Sequence, residues 1–239
     1  MNRTLIVTPT YNEIENLGTF VSAVRKALPE AHMLIVDDGS PDGTGALADD
    51  IASKDDHVKV MHRAGKQGLG TAYRQAFARG LEEGYERFIE MDADMSHDPK
   101  YLADFVRAFD DGYEVIVGSR NVPGGSVEGW GPGRHIMSKG GSIYSRTVLG
   151  LPVKDLTTGY KGFTKRALET IDMNRVKANG YSFQIEMTFR ASVAGLKIKE
   201  VPIVFVDRTK GQSKMSRKIF AEALGVVWKL RADALLGRL

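Results

Sequence analysis

Apolar residues arrive in two rhythms along the first half of this chain. Short unbroken runs such as Leu5-Ile6-Val7 and Leu34-Ile35-Val36 alternate with longer stretches in which apolar positions recur every three or four residues. The first rhythm marks a buried strand and the second an amphipathic helix. The pattern predicts strands over 4–8, 33–37, 58–61, 87–91 and 114–118. Between them, Leu17, Phe20, Val21, Val24 and Leu28 mark one helical face, Leu47 and Ile51 a second over 44–53, and Leu69, Tyr73, Ala76, Phe77 and Leu81 a third over 69–82. Pro9-Thr10-Tyr11-Asn12 separates the first strand from its helix, and Asp98-Pro99 supplies a cap and a first-turn proline for a fourth. Such alternation predicts an α/β fold whose mostly parallel sheet is covered on both faces and binds ligands beyond the carboxyl ends of its strands.

The rhythm breaks at 121–135, where seven of the residues are Gly or Pro, and a long mobile loop is expected there. Helix, strand and helix return between 136 and 195, and a last strand is expected over 199–207. From 216 to 236, Ile219, Phe220, Leu224, Val226, Val227, Trp228, Leu230 and Leu235 form a broad apolar arc opposite Lys218, Glu222, Lys229 and Asp233. This reads as an amphipathic helix that either packs on the core or lies in a lipid interface. The organisation expected is one domain over 1–215 and an amphipathic C-terminal helix over 216–239.

Composition narrows the chemistry. A chain of 239 residues with 42% apolar content is long enough for one sizeable core. With no cysteine, disulfides, thiolate zinc sites and cysteine nucleophiles are excluded. No stretch approaches the roughly 18 to 20 apolar residues that span a bilayer, and the N-terminal run is too short for a signal peptide, so a cytoplasmic place, peripheral on a membrane face, is expected. The formal charge of +3 is uneven: residues 208–239 carry eight Lys or Arg against two acids. A basic tail suits an anionic lipid surface or phosphate groups, or is simply a solvated helix face; no nucleic-acid partner is expected.

Two apolar strands run straight into acid, at Asp37-Asp38-Gly39-Ser40 and at Asp92-Ala93-Asp94. Carboxylates gathered at a sheet edge call for a cation or a donor-rich ligand. Asp92 and Asp94, two apart on an extended backbone, share one side and suit one Mg²⁺ or Mn²⁺ together with substrate phosphates. Bases at the ends of other elements, Arg120, Arg134 with Ser138, and Arg208 with Lys214, offer an anion site. Gly43-Thr44-Gly45-Ala46-Leu47-Ala48 fits a dinucleotide-binding pattern but follows three aspartates that would repel a pyrophosphate, so capping and close packing are the better reading. The five histidines show no metal-ligand spacing and are read as surface or structural, only His97 and His135 falling near the cleft. Neither a Gly-x-Ser-x-Gly elbow nor a Walker A sequence occurs.

Seven ordered motifs, Val7-Thr8-Pro9-Thr10-Tyr11-Asn12-Glu13, Val36-Asp37-Asp38-Gly39-Ser40, Gly68-Leu69-Gly70, Asp92-Ala93-Asp94, Gly118-Ser119-Arg120, Asp155-Leu156-Thr157-Thr158-Gly159-Tyr160 and Gly180-Tyr181-Ser182-Phe183-Gln184-Ile185-Glu186, cover nearly the whole chain. Together they resemble the family 2 glycosyltransferases of GT-A (Rossmann-like) fold, and within them the dolichol-phosphate (polyprenol-phosphate) mannosyltransferases. The resemblance implies inverting transfer of mannose from GDP-mannose to a polyprenyl monophosphate, with release of GDP. It implies that Pro9, Tyr11, Glu13, Asp37 and Asp92 bind the nucleotide, Asp37 through its base, and that Asp92 and Asp94 hold the metal. By the same likeness Arg208 and Lys214 close on the diphosphate, while Arg120, Arg134 and Ser138 grip the acceptor phosphate; Asp94, Arg120, Arg208 and Lys214 are the catalytic set. Relatives often carry Gln where this chain has Ser96, a shorter ligand. Asp155 or Glu186 is a candidate to orient sugar hydroxyls. Approach to the membrane through the amphipathic helix or a separate anchoring protein is implied. Three other readings stay open: a UDP-glucose-dependent polyprenyl-phosphate glucosyltransferase, a sugar nucleotidyltransferase, and a non-catalytic subunit that binds GDP.

Overall fold

The computed structural model describes residues 3–207 and 217–239. The chain opens with the expected alternation: β1 (Thr4–Thr10), α1 (Ile14–Ala27), β2 (His32–Asp37), α2 (Thr44–Ala52), β3 (Val58–His62), α3 (Leu69–Glu82) and β4 (Arg87–Glu90). A 3-10 turn over Pro99–Tyr101, capped by the Asp98 side chain on Lys100 N, then leads into α4 (Leu102–Asp110). The second half contains β5 (Val115–Ser119), β6 (Ser126–Glu128), α5 (Pro132–Leu149), β7 (Lys161–Thr164), α6 (Lys165–Ile171), α7 (Gly180–Val193), β8 (Ile198–Pro202), β9 (Val204–Val206) and α8 (Arg217–Leu235).

Seven strands form one sheet in the order β3-β2-β1-β4-β7-β5-β8. Every neighbouring pair is parallel except the two that involve β7. Unbroken apolar strands follow from cover on both faces. Leu5, Val7 and Phe88 join Tyr73, Phe77, Phe163 and Phe183 in one core, and the intervening Ile6 and Ile89 join Phe20, Val24, Phe105 and Tyr160 in the other. Each such side chain contributes roughly 1.5–3 kcal/mol by leaving water.

The reversal of β7 positions the site. Its register sets Lys161 opposite Glu90, so β7 begins beside the end of β4. Residues 155–160 therefore reach the edge at which β1, β2 and β5 also finish.

Three expectations are corrected. The stretch 121–135 is not a bare loop, because Ser126–Glu128 pairs in parallel with Val204–Val206 and α5 starts at Pro132. The pairing depends on a close approach: a Cβ on Gly125 would sit 2.5 Å from Ser119 O. The single last strand over 199–207 is two. Ile203, buried and bonded from its N–H to Ser119 O, ends the run in the main sheet, and Val204 onward turns to β6. Third, Asp92 to Asp94 do not continue a strand: β4 stops at Glu90, and Met95 takes φ 62° in the turn that follows.

The boundary expected at 215/216 lies outside the described residues. In the described part of α8, Val227 and Leu230 are buried in the larger core and the helix packs on α5 and α7, whereas Trp228 and Leu235 are exposed. Among the described residues no helix is long and apolar enough to cross a membrane.

Candidate active site

A cavity of about 430 Å³ opens where the carboxyl ends of β1 and β4 meet the starts of α3 and α7. Pro9, Tyr11, Glu13 and Asp38 line it from the β1 and β2 side. Lys66, Gly68 and Leu69 come from the loop into α3, Asp92 and Asp94 from beyond β4, Thr157 and Gly159 from before β7, and Gly180, Tyr181 and Gln184 from α7. Gly70 makes the α3 approach possible, since a Cβ there would meet Ala178 O at 2.5 Å.

The β1–α1 turn is fixed by the 40–44 segment. Asn12 N donates to Ser40 Oγ at 3.0 Å, Glu13 N to Thr44 Oγ1 at 2.9 Å and Ile14 N to Asp42 Oδ2 at 3.2 Å. These bonds leave Tyr11 at the cavity with the Lys66 ammonium 4.8 Å from its ring centroid. Lys66 was not anticipated from the sequence, where it is one base among many. The rejected dinucleotide pattern is explained as packing: Gly43 sits at φ 94° before α2, and a Cβ on Gly45 would meet Asp37 Oδ2 at 3.0 Å.

Asp37, expected at the base, does not line the cavity. It is buried, and its carboxylate accepts from Thr10 Oγ1 at 3.3 Å, Ser40 N at 3.1 Å and Ser40 Oγ at 2.5 Å. Asp38 lines the cavity instead and pairs with the buried Arg63 at 2.7 Å. Burial raises the Asp38 carboxyl above its ordinary value, and Arg63 offsets part of that rise.

Beyond β4 the arrangement differs. Asp94 is buried, and its Oδ1 accepts from Ser96 N at 3.1 Å and Ser96 Oγ at 2.5 Å. Ser96, considered above as a ligand, thus orients Asp94. The Asp92 side chain remains 41% exposed at the cavity. Its backbone N–H donates to His97 Nδ1 at 3.2 Å, so the ring carries its proton on Nε2. His97 is fully buried, stacked on Tyr160 with centroids 5.1 Å apart, and burial holds its pKa below the ordinary value. Its place near the cleft was expected, but its contacts with Tyr160 and Phe205, 63 and 108 residues further on, were not legible in the sequence. Among the described residues no cluster of three or more His, Asp or Glu suits a metal ion. Two carboxylates at a cavity, one oriented by a serine, fit a hard divalent cation whose other ligands come from phosphates and water.

The expected acceptor bases lie elsewhere. Arg120 is not a cavity residue: its guanidinium donates twice to the buried Asp155 at 2.7 Å and to Thr157 Oγ1 at 2.9 Å. That pair holds the Asp155 carboxyl below its usual range despite burial, and it fixes the turn that carries Thr157. Asp155 is therefore not available to sugar hydroxyls in this arrangement. Neither is Glu186, which accepts from Ala178 N and pairs with Arg190 at 2.8 Å. Arg134 lies on α5 with its guanidinium on Asp207 at 2.8 Å and over the Trp130 ring at 4.2 Å, and Ser138 is one turn further on. Arg208 and Lys214 lie outside the described residues.

A covered, mostly parallel sheet with a cavity and an acid pair at the carboxyl ends of its strands is the arrangement in which α/β proteins bind their ligands. The sequence matches the model of Glycosyl transferase family 2 over residues 5–172, and the chain belongs to that family. It is 49% identical over 232 residues to a polyprenol monophosphomannose synthase of Mycolicibacterium smegmatis, covering 96% of this chain and 88% of that one. It is 46% identical over 232 residues to an undecaprenyl-phosphate mannosyltransferase of Micrococcus luteus, covering 96% and 95%. The fold resembles that of glucosyl-3-phosphoglycerate synthase from Mycobacterium tuberculosis, solved with Mn²⁺, UDP and glucosyl-3-phosphoglycerate: TM-score 0.66, 18% identity, 99% of this chain and 80% of that one. It also resembles the mannosyltransferase PcManGT from Pyrobaculum calidifontis, solved with GDP-Man and Mn²⁺: TM-score 0.57, 14% identity, 98% and 74%.

Proposed function

We propose that this chain transfers mannose from GDP-mannose to the phosphate of a polyprenyl monophosphate, with inversion at the anomeric carbon and release of GDP. The observation that carries the reading is the Asp92–Asp94 pair at the cavity, in a chain whose relatives at 46–49% identity are named a polyprenol monophosphomannose synthase and an undecaprenyl-phosphate mannosyltransferase. Pro9, Tyr11, Glu13, Asp38 and Lys66 take the nucleotide end. Asp92 and Asp94 hold Mg²⁺ or Mn²⁺, which when bound neutralises the leaving diphosphate.

The acceptor needs no strong base, because a phosphate monoester with a second pKa of about 6 is largely dianionic at neutral pH. What the protein supplies is alignment. His97 and Ser96 fix the two aspartates, and the Arg120–Asp155 pair fixes Thr157 at the cavity wall. Arg134 and Ser138 receive the acceptor phosphate, Arg134 exchanging Asp207 for it, and Arg208 and Lys214 close on the diphosphate. The exposed Ile136 and Ile143 of α5 and Trp228 and Leu235 of α8 turn toward the membrane surface that holds the lipid.

Incubation with labelled GDP-mannose and a short polyprenyl phosphate, with and without Mn²⁺, tests the reading. Label is expected in the lipid only with metal and is not expected from UDP-glucose. Label from UDP-glucose overturns the donor, and pyrophosphate release from a nucleoside triphosphate identifies a nucleotidyltransferase instead.

A further inference from the structure

Gln184 is 2% exposed, yet it lines the cavity beside Asp92, Asp94 and Tyr181. Its amide is half committed: Nε2 donates to Glu90 Oε2 at 2.6 Å, while Oε1 is buried and has no hydrogen-bond partner among the described residues. Buried amide oxygens are nearly always paired, so an orphan at a cavity wall points to a group that arrives with a ligand. The residue is also held rigidly. Its backbone carbonyl accepts from the buried Lys161 Nζ at 2.6 Å and from Thr188 Oγ1 at 3.0 Å.

We infer that Gln184 Oε1 accepts a hydrogen bond from a hydroxyl of the transferred sugar and that Glu90 positions the amide for it. The inference rests on the donor reading above. One amide N–H is taken up by Glu90, the atom left without a partner is the oxygen, and an acceptor selects a donor. Ionised phosphates have no donor; sugar hydroxyls do. The position agrees, because Gln184 lines the same cavity as the acid pair proposed to hold the metal of the donor diphosphate. A donor sugar whose hydroxyl points elsewhere leaves a buried oxygen unmatched, so this contact discriminates among sugars.

Gln184→Met keeps length and bulk and removes the acceptor. Steady-state kinetics with GDP-mannose and each of its monodeoxy analogues test the inference, alongside GDP binding in the presence of Mn²⁺. Gln184→Met is expected to lower kcat/KM for GDP-mannose about 10-fold, as loss of one neutral hydrogen bond does, and to leave GDP affinity unchanged. With one monodeoxy donor, used poorly by the wild type, the substitution is expected to cost nothing more. Glu90→Gln is expected to show the same donor dependence and no further loss in the Gln184→Met background, which a merely structural role would not produce. An undiminished kcat/KM, or an equal loss with every donor, overturns the inference. If Gln184→Met does not fold, Gln184→Asn, which withdraws the amide by one methylene, is held to the same outcomes. A wild type that does not use GDP-mannose overturns the donor reading and this inference together, whereas a wild type that uses it with the donor dependence missing overturns this inference alone.

Discussion

The two acid-tipped strands look alike on paper and are built for opposite ends. After β2, Asp37 is spent on Thr10 and Ser40, and Asp38 on the buried Arg63; the charges are compensated within the protein. After β4, a serine orients Asp94, a backbone contact to His97 holds the Asp92 turn, and the Asp92 side chain stays partly open to the cavity. The lesson is that an acidic strand end becomes a candidate cation seat when a serine orients one carboxylate and the other stays open to the cavity. Internal hydrogen bonds make Asp37 part of the framework, and Arg63 compensates Asp38 at the cavity wall.

Substitutions at both ends sharpen that contrast. The largest effect expected is from Asp38→Ala, which leaves Arg63 buried without its carboxylate and should lower the unfolding free energy by about 3–5 kcal/mol in urea. A loss below about 1 kcal/mol, the worth of an exposed pair, would erase the distinction. Next comes Asp94→Asn, expected to reduce metal-dependent transfer by about 100-fold or more with the melting temperature nearly unchanged. Full activity in that variant would remove the metal from the reaction. Ser96→Ala should weaken Mn²⁺ binding by about 10-fold in a direct titration, because it removes a group that orients a ligand rather than the ligand itself. The smallest effect belongs to Ser40→Ala, about 1 kcal/mol of stability with the donor KM unchanged; a large rise in that KM would return Asp37 to the binding site.

Much of the frame was legible because local spacing carries it. The 69–82 helix is found as read, and the early strands agree to within a residue or two, since each packs apolar residues against its sheet neighbours. The break came where distant segments supply the partners. Ser126–Glu128 carries no strand pattern of its own and is a strand only because Val204–Val206 lies beside it. Arg120 and Arg134 were rightly noticed as bases at element ends, but Asp155 and Asp207, 35 and 73 residues further on, hold them in this structure.

The sequence by itself determined the alternation of strand and helix, the buried faces and the approach of acid to one edge, because periodicity and charge are properties of neighbours in the chain. Which carboxylate lines the cavity, which guanidinium is already engaged, and what His97 and Gln184 bond to were decided only by the tertiary structure, in which β7 runs antiparallel beside β4. Ion pairing and burial depend on groups brought together from far along the chain, and no local pattern encodes them.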